Sequence, residues 1–263
     1  RAAQFAKARD LKHEIWHLTA KDMLDHWDEA MGSLHEPLAD FSILPTYLVS
    51  KLARKSVTVA MSGDGGDELF FGYERFWSVG KNIKFHQYPS LLRKALYGFD
   101  KYTTGNKRLN SVLLTARQNT AHQGLHSRFR KEWLQAVAPD LTKVALPATY
   151  RVFDYEHSNN IHELLGNMRH AEFYGMMQKT LRKVDLASMR NSLEVRVPML
   201  NKQFIEASLR VDPLLSYGGG ASKVVLKEVL KKRIPSVAEE TVKKGFSIPL
   251  TSWLREDLKT EFR

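Results

Sequence analysis

Three acidic side chains lie within five residues in the stretch SGDGGDE, namely Asp64, Asp67 and Glu68. Two unit charges 4 Å apart interact by about 4 kcal/mol at an effective dielectric constant near 20, so bare carboxylates would repel a polyphosphate. A divalent cation between them reverses the sign of that interaction, and Mg²⁺ is usually held by one or two carboxylates together with phosphate oxygens. Taken alone, these residues indicate either a magnesium–nucleotide site or acids that stabilise a helix N-terminus.

The residues on either side of the acids predict the elements that would position them. The run Val57–Met61 is β-branched at its start, which is typical of a buried strand. The glycines within residues 62–66 allow positive φ and the close approach of a ligand. Apolar residues then recur at helical spacing, at Leu69, Phe70, Tyr73, Phe76 and Trp77. Strand, loop and helix together predict an anion site. The alternative, a β-hairpin turning at Asp64 and Gly65, conflicts with that spacing.

Three segments of the chain resemble the asparagine synthetase domain, the amide-forming half of glutamine-dependent asparagine synthetases, which is related to the β-lactam synthetases. SGDGGDELFFGY (residues 62–73) resembles the signature of that domain. KVDLASMRNSLEVRVPMLN (183–201) and VKKGFSIPLTSWLRE (242–256) follow in the expected order. Members of the family adenylate a substrate carboxylate with ATP, release pyrophosphate and let ammonia displace AMP. The resemblance therefore implies an ATP-dependent amide ligase with aspartate as substrate and with ATP and Mg²⁺ as cofactors.

The resemblance also assigns roles near the nucleotide. Ser62 and Gly63 would contact it, and Asp64 would support formation of the acyl-adenylate. Asp67 would face the Mg²⁺–pyrophosphate as the metal ligand. By its position before Gly-Phe, Lys243 matches the lysine that neutralises charge developing on the phosphate and acyl oxygens, and such a charge in a dry site lowers the barrier by several kcal/mol. At residue 71 the chain has phenylalanine where the family usually has glycine.

The second family-like segment would line the side of the site that faces the carboxylate substrate. The residues that the resemblance places there are Lys183, Asp185, Glu194 and Arg196. Because Glu194 and Arg196 alternate with apolar residues in an extended segment, both charges should point the same way. An ion pair without any substrate role is the alternative for these two. Leu186 and Asn201 replace the usual basic and acidic residues, which leaves the identity of the carboxylate open.

Composition limits the other classes of function. The net charge is +11, but the basic residues form small clusters and not one long stripe. A basic helical nucleic-acid-binding protein is therefore only an alternative, and a steep salt dependence of DNA binding would favour it. A scaffold that kept the fold without the chemistry is a third class. The chain has no cysteine, whereas the glutaminase half of the family uses an N-terminal cysteine, so ammonia would come from a glutaminase domain upstream or from solution.

The chain is expected to form one α/β domain over residues 1–263, with a helical majority. An incomplete Rossmann-like parallel sheet, of the adenine nucleotide alpha hydrolase type, would be flanked and followed by helices. The family's upstream SGGxDS pyrophosphate loop is not found before Ser62, so this polypeptide alone is expected to bind ATP weakly. No stretch is long and apolar enough for a membrane span, which favours a cytoplasmic location. The oligomeric state, monomer or homodimer, stays open. An alternative function is that of an amidotransferase of the same family that acts on another carboxylate, for example in polysaccharide biosynthesis.

Two further expectations concern the flanking regions. Residues 80–166 are predicted to form helices joined by short loops. The histidines of this region are not spaced so that they would share one helix face with acidic residues, as metal ligands would, so no metal role is assigned to them. Before the acidic loop, Glu36 and Asp40 could face the substrate, but helix capping is the favoured interpretation.

Overall fold

The computed structural model describes residues 2–36, 38, 40–104, 117–126, 131–144, 148–217, 222–235 and 248–260. It forms two compact units. The first unit combines Arg1–Asp64, Gln178–Phe204 and Leu226–Arg263, and the second combines Gly65–Met177 and Ile205–Val225. The boundary falls inside the acidic loop, so that Asp64 belongs to the first unit and Asp67 to the second.

Helical residues make up 66% of the structure, so the expected helical majority is confirmed. In chain order the α-helices are α1 (Ala2–Ala8), α2 (Ala20–Asp25), α3 (Trp27–Met31), α4 (Ile43–Arg54), α5 (Gly66–Leu69), α6 (Glu74–Gly80), α7 (Ser90–Thr104), α8 (Gln118–His126), α9 (Lys131–Val137), α10 (Ile161–Ala171), α11 (Met177–Met189), α12 (Lys202–Arg210), α13 (Pro213–Ser216), α14 (Val224–Arg233) and α15 (Leu250–Arg255). A π-helix, Glu172–Met176, follows α10, and short 3-10 turns occupy Phe85–Gln87, Pro139–Lys143, Ala148–Phe153 and Pro198–Leu200.

The core of the first unit is formed by α2, α3 and α4 with one residue of α11. Helix α2 begins with a capping box, in which the Thr19 side chain and the Asp22 side chain each accept a hydrogen bond from the other residue's backbone N–H. The buried cluster consists of Met23, Ala30, Ile43, Leu44, Tyr47, Leu48 and Ala187. Apolar side chains at helical spacing on α4 therefore anchor the segment that leads directly to the first strand.

The sheet has two parallel strands, β1 (Val59–Met61) and β2 (Glu194–Arg196), with Ala60 opposite Val195. The strand before the acidic loop is confirmed, but the prediction that it is buried is wrong, because Val59 is 53% exposed and Met61 80% exposed. Within the described part of the chain each strand pairs with one neighbour, so its side chains are covered only in part. A larger Rossmann-like sheet remains a prediction, since the described residues contribute these two strands.

The core of the second unit surrounds the segment that follows the acidic loop. The sequence predicts one helix here, whereas the structure has two, α5 and α6, separated by residues 70–73. The buried cluster consists of Phe71, Phe76, Val79, Ala121, Leu164, Leu165 and Met168. The helix breaks because Phe71 adopts φ 55°, in the left-handed region, and there its ring packs edge-to-face on Phe76 at a centroid distance of 5.0 Å.

Phe71 provides a stability test, because the residue usual at this position, glycine, tolerates its backbone conformation. A left-handed conformation costs a non-glycine residue about 1–2 kcal/mol, whereas removing a buried phenylalanine side chain costs about 3–5 kcal/mol. Phe71→Gly and Phe71→Ala should therefore both lower the free energy of unfolding in urea. The glycine variant should be the more stable of the two by about 1 kcal/mol, the reverse of their order inside a helix. An alanine variant as stable as the glycine variant would contradict the strain at Phe71.

None of the helices in the described part of the chain combines the length and the apolar character needed to span a bilayer.

Candidate nucleotide and carboxylate site

The residues that follow β1 form the first part of the predicted site. The Ser62 N–H donates to the Arg196 carbonyl oxygen at 2.8 Å, so the pairing with β2 continues one residue past the strand. The Ser62 hydroxyl donates to Asp64 Oδ2 at 2.7 Å. Apart from Gly63 itself and its two chain neighbours, no atom of the described residues lies within 4 Å of the position a Cβ would take at Gly63, so this part of the structure leaves space beside the glycine. Ser62, Gly63 and Asp64 thus lie together at the carboxyl end of β1, the usual position of ligand sites on parallel sheets.

Asp67 lies in the second unit, on the short helix α5, after Gly65 with φ 88°. Its Oδ1 atom pairs with Lys223 Nζ at 2.9 Å, and both side chains are between a quarter and a third exposed. This partner of Asp67 could not be predicted, because an ion pair between residues so distant in the chain depends on packing. The Asp67 side chain is 26% exposed although its Oδ1 atom is buried, and carboxylate oxygens are the ligands that Mg²⁺ prefers, so the metal role of Asp67 stays a prediction.

Gly72 is the residue that leaves room for the Asp67 carboxylate. A Cβ at Gly72 would lie 1.7 Å from Asp67 Oδ1 and 2.7 Å from Asp67 Cα, and the Gly72 N–H donates to the Asp67 carbonyl at 2.8 Å. Rotation of the aspartate side chain alone cannot relieve this overlap, because it also involves the backbone.

Gly72→Ala should lower the free energy of unfolding by about 1–3 kcal/mol, since extra volume forces packed atoms to shift. The control is Gly166→Ala in α10, where an added Cβ meets no atom within 4 Å and alanine should stabilise the helix by about 0.5–1 kcal/mol. Urea denaturation of both variants measures the difference. Equal stability of the two variants would contradict the overlap at Gly72.

The third acid of the loop, Glu68, is not available to a solvent-facing site. Its side chain is buried, and it accepts a hydrogen bond from the Tyr73 hydroxyl. Burial raises the pKa of Glu68, partly offset by that hydrogen bond. The catalytic role of Asp64 and the metal role of Asp67 therefore stay predictions, whereas the Glu68 side chain on α5 bonds to Tyr73, the residue before α6.

Lys183 and Asp185, both on α11, have different surroundings. Lys183 Nζ donates to Ser42 Oγ at 2.8 Å and lies 3.7 Å from Asp40 Oδ2, in a partly buried cluster before α4. Asp40 also accepts the Ser42 backbone N–H at 3.1 Å, but the N-cap of α4 is Ser42, which has no side-chain capping hydrogen bond, so the capping interpretation of Asp40 is not confirmed. Asp185 is exposed. The structure therefore brings Lys183 together with Asp40, a pairing that the sequence did not predict.

The Asp40 cluster predicts an acid-sensitive contribution to stability. Burial raises the pKa of Asp40, but the hydrogen bond from Ser42 and the charges of Lys183 and Lys179 outweigh burial, so that the pKa lies below its ordinary value of 3.8. A carboxylate with a depressed pKa contributes stability above its unfolded pKa and loses it as the pH falls through the folded pKa. Asp40→Asn should therefore lower the free energy of unfolding by about 1.5 kcal/mol at pH 7, the scale of a hydrogen bond to a charged group.

The difference between wild type and Asp40→Asn should shrink when urea denaturation is repeated below pH 3. Asp25→Asn is the matched control, since Asp25 forms an exposed pair with Lys21, and this substitution should change stability little at either pH. A loss at Asp40 that is independent of pH would show that the charge of the carboxylate does not contribute.

Glu194 and Arg196 lie on β2, and their side chains pair with Nε and Oε1 3.1 Å apart. The prediction that both charges point the same way is confirmed. The two side chains are 45% and 71% exposed, and such pairs contribute little to stability. Lys243, the remaining predicted catalytic residue, lies outside the described residues.

The second unit contains a largely buried polar cluster that was not predicted, formed by Arg75, His122, His126 and Glu172. Arg75 donates to both carboxylate oxygens of Glu172, with Nη2 2.6 Å from Oε2, and each histidine places Nε2 2.7 Å from Oε1. Burial would raise the pKa of Glu172, but the hydrogen bonds from Arg75 and the histidines outweigh it and hold the pKa well below its usual range. The i, i+4 spacing of the histidines was the available signal, but the acid comes from a distant helix.

Known proteins resemble the whole chain. The asparagine synthase family profile matches residues 1–263. The glutamine-hydrolysing asparagine synthetase 1 of Bacillus subtilis (strain 168) is 27% identical over 92% of this chain and 38% of its own length. A putative glutamine-hydrolysing asparagine synthetase of Mycobacterium bovis is 27% identical over 97% of this chain and 39% of its own length.

A shorter segment is more similar still to a known sequence. A putative glutamine-hydrolysing asparagine synthetase 2 of Methanocaldococcus jannaschii is 45% identical over 62 residues, which is 24% of this chain and 12% of that protein. No solved structure matches the chain. The chain spans about two fifths of the length of the first two relatives. Because the family profile covers every residue, this chain belongs to the asparagine synthase family.

Proposed function

We propose that the full-length protein is an ATP-dependent amide ligase that converts the side-chain carboxylate of aspartate into an amide. The observation that carries the proposal is the match of residues 1–263 to the asparagine synthase family. In the first step an oxygen of the carboxylate attacks the α-phosphorus of ATP, and the bond to the β-phosphate breaks with release of pyrophosphate. In the second step ammonia attacks the acyl carbon, and AMP leaves with the electron pair of the broken C–O bond.

The roles within the acidic loop follow from the chemistry of its residues. Ser62 and Gly63 would contact the nucleotide, where the loop leaves space beside Gly63. Asp64, oriented by the Ser62 hydroxyl, would act at the reacting carboxylate. Asp67 would hold Mg²⁺, which when bound neutralises negative charge on the phosphates. Lys223, paired with Asp67, adds a positive charge beside this carboxylate.

On the substrate side, Lys183 would bind the carboxylate, since its side chain is only 12% exposed and is held by Ser42. Asp185, Glu194 and Arg196 would complete that side. Lys243 would neutralise charge that develops on the phosphate and acyl oxygens. Ammonia would be supplied by a glutaminase domain of the full-length protein.

The proposal is tested by measuring pyrophosphate release and asparagine formation by the full-length protein with ATP, Mg²⁺, aspartate and either ammonium or glutamine. Aspartate should stimulate pyrophosphate release, and Asp64→Ala and Lys243→Ala should each abolish most of it. Release that does not depend on aspartate, or that survives both substitutions, would contradict the proposal.

A second candidate is an amidotransferase of the same family that acts on another carboxylate. The observation that favours it is the pair Leu186 and Asn201, which replace the basic and acidic residues usual in the family. In the structure Asn201 Oδ1 accepts the Gln203 N–H at 2.9 Å at the start of α12, so asparagine provides the cap that an aspartate would. A panel of carboxylates in the same pyrophosphate assay distinguishes the two candidates, since each predicts a different stimulating substrate.

A further inference from the structure

We propose that His122, His126 and Glu172 form a binding site for a divalent first-row transition metal ion such as Zn²⁺, separate from the magnesium site proposed at Asp67. All three residues lie in the second unit. Their ligand atoms, one from each residue, lie within 4.8 Å of one another. Two imidazole nitrogens and one carboxylate oxygen are a frequent ligand set for zinc and for ferrous iron, whereas Mg²⁺ prefers oxygen ligands alone.

The fold positions the two histidines as a pair. They are four residues apart on α8, so their side chains lie on one face of the helix, an arrangement that recurs in zinc enzymes. Glu172 is the first residue of the π-helix after α10. Single π-helical turns within helices are found frequently at functional sites. The helix irregularity therefore coincides with the carboxylate that meets both rings.

The arrangement around Glu172 Oε1 is crowded for hydrogen bonding alone. Three nitrogens face this one oxygen, namely Nε2 of His122, Nε2 of His126 and Nε of Arg75. A carboxylate has about four lone-pair sites over its two oxygens, so about two belong to each. An ion held by Oε1 and both Nε2 atoms would remove this excess, because the histidines would then bind the metal through lone pairs instead of donating N–H groups.

The surroundings of the three residues suit ligands that are held in fixed orientations. The Tyr155 hydroxyl lies 3.1 Å from Nδ1 of His122, on the ring nitrogen that faces away from Glu172. Metal-binding histidines almost always use this second nitrogen in a hydrogen bond, and metal-binding carboxylates are themselves hydrogen-bonded, as Glu172 is by Arg75. The Phe153 ring packs edge-on against both imidazoles, at 5.1 and 5.0 Å, and shields them from water.

An ion can reach the cluster from one side. The side chains of His122 and Glu172 are fully buried, whereas that of His126 is 17% exposed. Ligand atoms about 2.0–2.1 Å from a tetrahedral zinc ion lie roughly 3.3 Å apart, so uptake of the ion moves each imidazole away from Oε1 by less than about 1 Å. The partly exposed His126 ring provides that movement most easily. Because His126 is also the least buried ligand, it is the residue to substitute.

The test uses the full-length protein without an affinity tag, treated with chelator and then titrated with Zn²⁺ in excess Mg²⁺, which occupies sites built from oxygen alone. Calorimetry should show one zinc ion bound per chain, and zinc should raise the melting temperature. His126→Gln should weaken zinc binding by at least about 10-fold. The matched control is His162→Gln, since the His162 side chain is 48% exposed and pairs with Asp212, and this variant should bind zinc as the wild type does.

A second readout keeps the test valid if a variant is less stable. Co²⁺ bound to the wild type should give the visible absorption of a low-symmetry nitrogen and oxygen site, and the spectrum should change in His126→Gln while circular dichroism shows a folded chain. Absence of stoichiometric zinc binding to the wild type would overturn the proposal. Equal zinc affinity of wild type and His126→Gln would also overturn it, and the cluster would then be a hydrogen-bonded network around Glu172. Neither result depends on amide ligase activity, so failure here leaves the proposed function untouched.

Discussion

Asp67→Asn is expected to reduce pyrophosphate release by the full-length protein by about 100- to 1,000-fold. The substitution keeps the size of the side chain and removes the negative charge that is proposed to hold Mg²⁺ at the phosphates. Electrostatic groups aimed at charge that develops in the transition state contribute about this much to catalysis. The loss should be partly recovered at high Mg²⁺ concentration if the carboxylate acts by binding the metal, so the assay is run as a magnesium titration.

The control for Asp67 is the same change at an exposed acid of the same unit. The Asp140 side chain is 91% exposed and, among the described residues, pairs with Lys143 three residues later, so Asp140→Asn should leave the rate unchanged. Urea denaturation separates an effect on catalysis from an effect on folding. In Asp67→Asn the ion pair with the partly exposed Lys223 is lost, and this should lower the free energy of unfolding by at most about 1 kcal/mol. A rate for Asp67→Asn within a few-fold of wild type would show that this residue does not hold the metal.

Arg75→Met is expected to lower the free energy of unfolding by about 3–5 kcal/mol. Arg75 donates to both oxygens of Glu172, whose side chain is fully buried, while the arginine side chain is 15% exposed. Removal of the arginine takes away the one fixed positive charge bonded to the buried Glu172 carboxylate and leaves it only the two histidine contacts, and breaking a buried ion pair in this way costs about this much. The Arg75 guanidinium also lies 3.7 Å from the centroid of the Tyr73 ring, so this contact is lost as well.

Arg182→Met provides the comparison for Arg75→Met, since Arg182 pairs with Glu36 at 2.7 Å with both side chains about half exposed. This substitution should change stability by about 1 kcal/mol or less, because water already solvates both charges. Urea denaturation of both variants at neutral pH measures the contrast. Similar losses in the two variants would show that the burial of Glu172 is not what makes the Arg75 pair strong.

Local patterns predicted the elements around the acidic loop well but not their details. The strand before the loop and the extended segment at Glu194–Arg196 are both present, and they pair with each other. The predicted single helix after the loop failed at Phe71, because apolar spacing cannot report a residue that takes φ 55° to place its ring in the core. The resemblance marked residue 71 as a departure from the usual glycine, but it did not predict that the helix breaks there.

The amino-acid sequence alone was enough to predict the family and the helical majority. It also predicted the acidic loop and its position directly after the strand β1. Those features depend on spacing within one element, where the repeat of a strand or a helix decides which side chains share a face. Tertiary structure alone decided that Glu68 is buried, that Lys223 pairs with Asp67, and that Glu172 meets two histidines of α8. These contacts join residues from different elements, and the packing of those elements, which no local repeat encodes, determines which polar groups meet.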